Sequence, residues 1–158
     1  MTLLKAFWAA GLMTALSGSA WALTATQSIQ KEVTTLNADG TTVVSYEPAD
    51  LVAPGERIVY ALEVANDDTQ AATNLVLTMP VPEEIKYVEG SAVKNGAIVT
   101  YSADNGQSFA GRDTLIVLAE NGVTRSANSE DITHIRWKIT GSIEAGATDR
   151  LSFKGELK

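Results

Sequence analysis

The sequence predicts an all-β domain of about eight strands that pack as a β-sandwich or a barrel. Three observations lead to this prediction. Beyond residue 22, apolar and polar side chains alternate with a period of two, which is typical of half-buried strands. Clusters of Asn, Asp, Gly and Pro interrupt the alternating segments at short intervals, as turns do. No segment in this part of the sequence repeats apolar residues at helical spacing over three turns.

The first 22 residues have the pattern of a secretory signal peptide. Lys5 is followed by an uncharged, largely apolar run over residues 6–16, and Ala20-Trp21-Ala22 places small residues at the −3 and −1 positions of a cleavage site. A membrane anchor is the alternative, but this run is shorter than the ~20 apolar residues that span a bilayer. We therefore predict cleavage after Ala22, export to the periplasm or the cell exterior, and no membrane insertion of the remaining single domain, residues 23–158.

Each predicted strand is an alternating segment bounded by turn residues. Residues 57–66 are the clearest case, because Pro54-Gly55 precedes them and an Asn/Asp-rich turn follows. The segment Asn37-Ala38-Asp39-Gly40 predicts a hairpin loop between two strands, since Asp and Gly tolerate the positive φ of tight turns. In chain order, the predicted strands are residues 29–36, 41–46, 57–66, 73–79, 97–102, 114–118, 132–140 and 150–157.

The apolar residues of the longer strands fall on one face of each strand, and this face is the predicted core. Trp137 has Ile135 and Ile139 two positions away on either side, so we interpret it as a core aromatic rather than as a ligand platform. The predicted core residues are Ile58, Tyr60, Leu62, Val64, Leu75, Leu77, Ile135, Trp137, Ile139, Leu151 and Phe153.

The composition argues against catalysis and against nucleic-acid binding. The chain has no Cys and a single His, which excludes a disulfide framework, a Cys-based zinc site and a Cys nucleophile. That histidine, His134, falls on the strand face opposite Trp137, and we interpret it as a solvated residue rather than a member of a triad. A formal net charge of −7 repels phosphate backbones. We predict a non-catalytic protein with no cofactor, no metal site and no nucleic-acid partner.

A ligand-binding module for calcium or carbohydrate is the alternative function. It would use the loops at residues 66–72 and 103–113, which we expect at one end of the sandwich. The candidate calcium ligands do not have the spacing of an EF-hand loop. They are Asp67, Asp68, Asp104, Asn105, Asp113, Glu130 and Asp131.

Lys31 on the first predicted strand has two interpretations. Some surface-protein sandwiches carry an internal Lys–Asn isopeptide bond, and Lys31 could supply the amine for one. The sequence identifies no partner Asn or acid, so we predict instead a charge that keeps an edge strand soluble.

Residues 54–91 carry a recognisable succession of motifs. A Pro-Gly turn leads through a Tyr-containing strand to an Asn-rich turn, and an Ala-Thr-Asn strand, a Pro-Val-Pro break and a Tyr-x-x-Gly-Ser close follow. This succession resembles the conserved repeat domain of bacterial extracellular and envelope proteins, catalogued as domain of unknown function 11. The resemblance implies an immunoglobulin-like β-sandwich. Together with the export signal and the absence of catalytic machinery in the sequence, it leads us to predict a structural or protein-interaction role in the cell envelope, with another envelope or surface protein as the partner.

Overall fold

The computed structural model describes residues 23–119 and 122–158, and within them the regular structure is entirely β. The signal peptide predicted for residues 1–22 lies outside the described residues. No described segment forms a helix long and apolar enough to cross a bilayer. The strands are β1 (Leu23–Leu36), β2 (Thr42–Pro48), β3 (Arg57–Asn66), β4 (Ala72–Thr73), β5 (Val76–Pro80), β6 (Ile85–Tyr87), β7 (Ala97–Ser102), β8 (Ile116–Leu118), β9 (Thr124–Ser126), β10 (His134–Ile139), β11 (Ser142–Ile143) and β12 (Thr148–Leu157).

The all-β prediction is confirmed, but the strand count is corrected. The described residues form twelve strands rather than about eight, because β4, β6, β9 and β11 are only two or three residues long. Segments that short cannot display an alternating pattern, so only the pairing with a neighbour reveals them. β1 begins earlier than predicted, at Leu23, and runs for 14 residues.

The strands form four antiparallel sheets, and none of them closes into a barrel. The largest sheet has five strands in the order β2-β1-β3-β12-β6, and a second sheet has three in the order β5-β10-β7. Two-stranded pairs, β4 with β11 and β8 with β9, complete the set. The longest ladders join β3 to β1 and β12, so β3 lies at the centre of the large sheet.

The position of β3 explains a departure from simple alternation. Ile58, Tyr60 and Val64 are buried on the predicted core face, but Val59 on the opposite face is buried as well. Val59 lies between Gln30 of β1 and Lys154 of β12, whose longer side chains flank it. A central strand therefore hides small outward residues even where no second layer covers them.

Side chains from the five-stranded and three-stranded sheets share one buried cluster. Tyr60 stacks on Phe153 with ring centroids 4.9 Å apart, and Trp137 is fully buried with its Nε1–H donating to the carbonyl oxygen of Ala92 at 2.8 Å. The predicted core is confirmed except at Leu62 and Leu77, which are half-buried and pack against the cluster.

Candidate functional site

The structure places His134 at the start of β10, on the face opposite Trp137. The imidazole is half-buried rather than fully solvated, and Gly106, in the loop after β7, lies close enough that a Cβ at that position would be 3.5 Å from the ring. Its Nδ1 lies 3.2 Å from the hydroxyl of Thr133. These neighbours explain the partial burial of His134 through packing of the loop, and they supply no carboxylate that would orient the ring for catalysis.

Asp104 uses its carboxylate to close its own loop. It accepts hydrogen bonds from the Ser102 hydroxyl at 2.6 Å and from the backbone N–H of Ser108 at 2.9 Å. The Ser102 bond is the main cause that holds the pKa of Asp104 well below its usual range, and the bonds from Ser108 add to it. Within the part of the chain that the structure describes, no three His, Asp or Glu side chains converge as a metal site would require.

The two loops of the predicted ligand site lie at opposite ends of β10, so the expectation that they share one end is wrong. Asn66 donates from Nδ2 to the carbonyl oxygen of Ile143 on β11, the strand that follows the end of β10. Asn105 instead donates its backbone N–H to the Thr133 hydroxyl, just before the first residue of β10. The reason is topological: β7 runs antiparallel to β10 and ends beside its start, whereas the chain after β3 continues into β4, which pairs with β11.

Lys31 is not an edge charge, because β1 has a neighbour on both sides at this position. It lies opposite Glu47 of β2 and opposite Ile58 of β3. Its ammonium forms an ion pair with Glu56 at 2.6 Å and is largely shielded from solvent. The interpretation as a solubilising edge charge is therefore corrected to a charge that pairs inside the sheet.

Beyond Lys31, β1 and β2 leave the body of the sheet as a two-stranded hairpin, residues 32–47, which we call the arm. The last pair between β1 and β3 is Lys31 with Ile58, whereas the pairing of β1 with β2 continues to Leu36 and Thr42. The predicted hairpin loop is confirmed: the N–H of Asn37 donates to the carbonyl oxygen of Thr41 at 2.8 Å, and Gly40 has φ of +82°. The arm is thus a regular hairpin with only its own two strands for support.

The arm exposes apolar side chains on both of its faces. The register places Val44 and Tyr46 on one face, together with Leu36, and Val43 on the other. Leu36 is 72% exposed, and the other three are about half exposed, at 48–50%. A two-stranded hairpin has no second layer to bury such residues, and grouped exposed apolar side chains mark interaction sites.

Ion pairs on both faces hold the base of the arm. Lys31 pairs with Glu56 on one face, and its neighbour Glu32 points to the other. There the Glu32 carboxylate, only 5% exposed, contacts Lys154 of β12 and lies 3.6 Å from Arg57 of β3. Because consecutive residues are anchored to opposite faces, the direction in which the arm leaves the sheet is set by the body of the protein.

The sequence pattern predicts both strands of the arm but not their role as a surface. A signal was present, because apolar residues fall on both faces of these strands, as the adjacent Val43 and Val44 illustrate. A hairpin that buries only one face keeps the other face polar. In β1 and β2 the broken alternation fits a ribbon that no second layer covers.

Comparison with known proteins adds no assignment: no protein-family model, curated protein or solved structure matches the chain. The resemblance of residues 54–91 to an envelope repeat domain therefore stays a prediction. The geometry of the arm is the observation from which a function can be argued.

Proposed function

We propose that this chain is an exported, non-catalytic structural or protein-interaction module of the bacterial envelope, which binds another envelope or surface protein through the arm. The observation that carries the proposal is the arm itself, a hairpin with exposed apolar residues on both faces and an anchored base. Export is supported by the signal pattern that ends at Ala22.

The proposed architecture is an immunoglobulin-like β-sandwich, with the five-stranded and three-stranded sheets as its two layers. It is supported by the shared buried cluster and by aromatic contacts between the sheets, such as the contact between Tyr87 of β6 and Tyr101 of β7. In such a sandwich the inward faces of both sheets form a single core. The resemblance of residues 54–91 points to the same architecture.

Val44 and Tyr46 are the proposed anchors of the interaction. They occupy one face of β2 and are each about half exposed, so a partner can bury a substantial further fraction of both side chains. Tyrosine combines a large apolar ring with a hydroxyl that keeps a hydrogen bond at the rim of an interface, which is why it is common among residues that dominate binding. The anchored base keeps the arm oriented and lowers the cost of ordering it on binding.

The test is site-specific photo-cross-linking in the bacterium that produces the protein. A photoreactive residue at Val44 is expected to give a covalent product with a protein of different sequence, identified by mass spectrometry. The matched control places the same residue at Lys138, exposed on the three-stranded sheet, and is expected to give no such product. Loss of the product in a Tyr46→Asp background would assign the contact to the arm.

Three outcomes would contradict the proposal. They are no product at Val44, the same products at Val44 and Lys138, or a product that contains only further copies of this chain. Export is tested separately by the intact mass of the protein from the envelope fraction, which is expected to begin at Leu23. A mature species that retains Trp8 would contradict that part alone.

A further inference from the structure

In the large sheet, β2 covers only part of the outer edge of β1. On the side of β1 away from β3, β2 pairs with residues 30–36. No strand of residues 23–119 or 122–158 pairs with residues 23–29 on that side, although β3 pairs with them on the other. Residues 24–29 are all exposed. Their outward N–H and C=O groups form a ready template for a further strand.

This open edge has none of the usual protection against pairing. Residues 23–29 read Leu-Thr-Ala-Thr-Gln-Ser-Ile, with no charged residue, no Pro and no Gly. Exposed edges in soluble proteins are commonly blocked by Lys, by Pro or by a bulge, and Thr and Ile favour strand pairing. The rest of the chain is rich in charge, with 12 basic and 19 acidic residues overall. An uncharged, extended edge in such a chain is suited to pairing with a β-strand of another molecule.

We propose that a second copy of this chain covers the edge, through antiparallel pairing of residues 23–29 with the same segment of the other copy. The pairing is centred on Thr26, so that Thr26 lies opposite Thr26, Thr24 opposite Ser28, and Leu23 opposite Ile29. Antiparallel pairing of identical segments is self-complementary and closes around a two-fold axis. The two five-stranded sheets then form one continuous sheet.

The uncovered part of the β1 edge, residues 23–29, has the length that this pairing requires. In each copy β2 ends where Pro48 lies opposite Gln30, and the next free position on the edge is Ile29. In the proposed pairing, Leu23 of the second copy lies opposite this Ile29. The β1 strand of the second copy therefore continues along the edge from the point where β2 of the first copy ends. All of the open edge is filled without displacing either arm.

Charge favours a second copy at this place over other faces of the molecule. After the loss of Lys5 with the first 22 residues, each copy has 11 basic and 19 acidic residues, so two copies repel each other, and the repulsion is weakest across a segment that carries no charge. Across the two-fold axis no like charges face each other, and the Thr–Thr and Thr–Ser pairs are among the favourable cross-strand pairs. The apolar Leu23 and Ile29 meet on the core side at both ends of the segment.

The pairing depends on where the chain begins. In this pairing Leu23 lies next to Pro48 of the other copy, so an extension that continued β1 in line ahead of Leu23 would need the position that Pro48 of that copy occupies. Association therefore requires a free amino end at Leu23 and follows removal of the first 22 residues. Only this dependence rests on the proposed export; the pairing surface itself belongs to the described sheet.

The test uses the absence of cysteine from the chain. Protein that begins at Leu23 retains every described residue of the buried core, the first of which is Ile58. Under mild oxidation, Thr26→Cys is expected to form a disulfide-linked dimer, because the two copies of residue 26 lie opposite each other. Thr24→Cys alone is expected to form no disulfide-linked dimer, whereas a mixture of Thr24→Cys and Ser28→Cys forms a mixed disulfide-linked dimer. Thr34→Cys, exposed on the same face but in the arm, is the matched control and is expected to give no disulfide-linked dimer.

Sedimentation of the unmodified protein gives the second readout. Protein that begins at Leu23 is expected at the mass of a dimer, and Thr26→Lys at the mass of a monomer, since lysine would face lysine. A short Gly-Ser extension ahead of Leu23 is also expected to give a monomer.

The proposal is overturned if Thr26→Cys forms no disulfide-linked dimer while Trp137 fluorescence reports a folded core, or if Thr24→Cys cross-links to itself as readily as Thr26→Cys. A dimer that persists with the extension would overturn the dependence on processing. These outcomes are independent of the arm, since Tyr46→Asp is expected to leave the dimer intact while it removes the Val44 cross-link.

Discussion

The hydroxyl oxygens of Tyr87 and Tyr101 lie 3.2 Å apart inside the core and join the five-stranded sheet to the three-stranded sheet. Tyr87 is on β6 and Tyr101 is on β7, and their ring centroids are 5.5 Å apart. The backbone N–H of Ala92 also donates to the Tyr87 hydroxyl, at 3.3 Å, while the carbonyl of Ala92 accepts from Trp137. A single chain of hydrogen bonds therefore runs from one sheet, through the loop at Ala92, to the other.

The two tyrosine hydroxyls are not equivalent, and their removal separates their roles. Tyr101→Phe leaves the Tyr87 hydroxyl with its bond from Ala92, so we expect a loss of about 1 kcal/mol in the free energy of unfolding. Tyr87→Phe leaves both the Ala92 N–H and the Tyr101 hydroxyl without that partner, so we expect about 2–3 kcal/mol. Urea unfolding of the two variants measures the difference, and equal losses would contradict the described network.

Tyr101 and Tyr60 make stability sensitive to alkaline pH. Burial is the main cause that raises the pKa of Tyr101, followed by its hydrogen bond to Tyr87, and burial also raises the pKa of Tyr60. Their stabilising neutral forms are fully present below the unfolded tyrosine pKa of about 10 and are lost as the pH rises toward the raised values. We expect the free energy of unfolding to fall above about pH 10, by at most ~1.4 kcal/mol per pH unit for each group. Tyr101→Phe is expected to reduce this slope.

Trp137 is expected to report on the core as a whole. Its side chain is fully buried in the shared core and belongs to β10, the middle strand of the three-stranded sheet, so the protein that begins at Leu23, in which it is the only tryptophan, should emit at a blue-shifted wavelength when folded. Trp137→Ala is expected to cost ~3–5 kcal/mol in the free energy of unfolding. A native emission maximum like that of solvent-exposed tryptophan would contradict the burial of Trp137 in the core.

Calcium is not expected to change the stability of the fold. The Asp104 carboxylate already accepts hydrogen bonds from Ser102 and Ser108, and the loop that holds Asp67 and Asp68 lies at the opposite end of β10. Melting curves in excess calcium and in chelator should therefore superimpose. A site filled at 100 times its Kd would add ~2.7 kcal/mol, so a shift of that size would favour the ligand-binding alternative.

Protonation of Asp104 should instead lower the stability of the fold at acidic pH. Its hydrogen bonds hold its folded pKa below the unfolded value, so the stability it contributes is present above about pH 4 and is lost as the pH falls toward the lowered value. Asp104→Asn, which cannot titrate, is expected to flatten the pH dependence of Tm below about pH 4. Glu144→Gln, at an exposed loop position, is the control and should keep the slope.

Much of the local structure could be predicted because it depends on neighbours in the sequence. The alternation of Ile58, Tyr60 and Val64 defines the buried face of β3 from within that strand. The loop at residues 37–40 forms where Asp39 can bond to Thr41 and Gly40 can adopt a positive φ. Both signals operate over a few residues, so no knowledge of the partner strands was needed.

The candidate site could not be predicted in the same way. Whether Lys31 lies on an edge depends on which strands flank β1, and whether the two Asp-containing loops share an end depends on the direction of β7 relative to β10. The open edge at residues 23–29 exists only because β2 stops at Pro48. Sequence alternation is the same in an edge strand and in a central antiparallel strand with one solvent face, so it cannot distinguish them.

The sequence by itself determined that residues 23–119 and 122–158 are all-β, which face of each longer strand is buried and where the first hairpin turns. These properties follow from backbone geometry, because side chains alternate along any strand and a few residue types favour tight turns. Only the tertiary structure decided which strands pair, where the arm leaves the sheet and which edge stays open. Those features depend on contacts between distant residues, such as Glu32 with Lys154, 122 positions apart, and no local pattern encodes them.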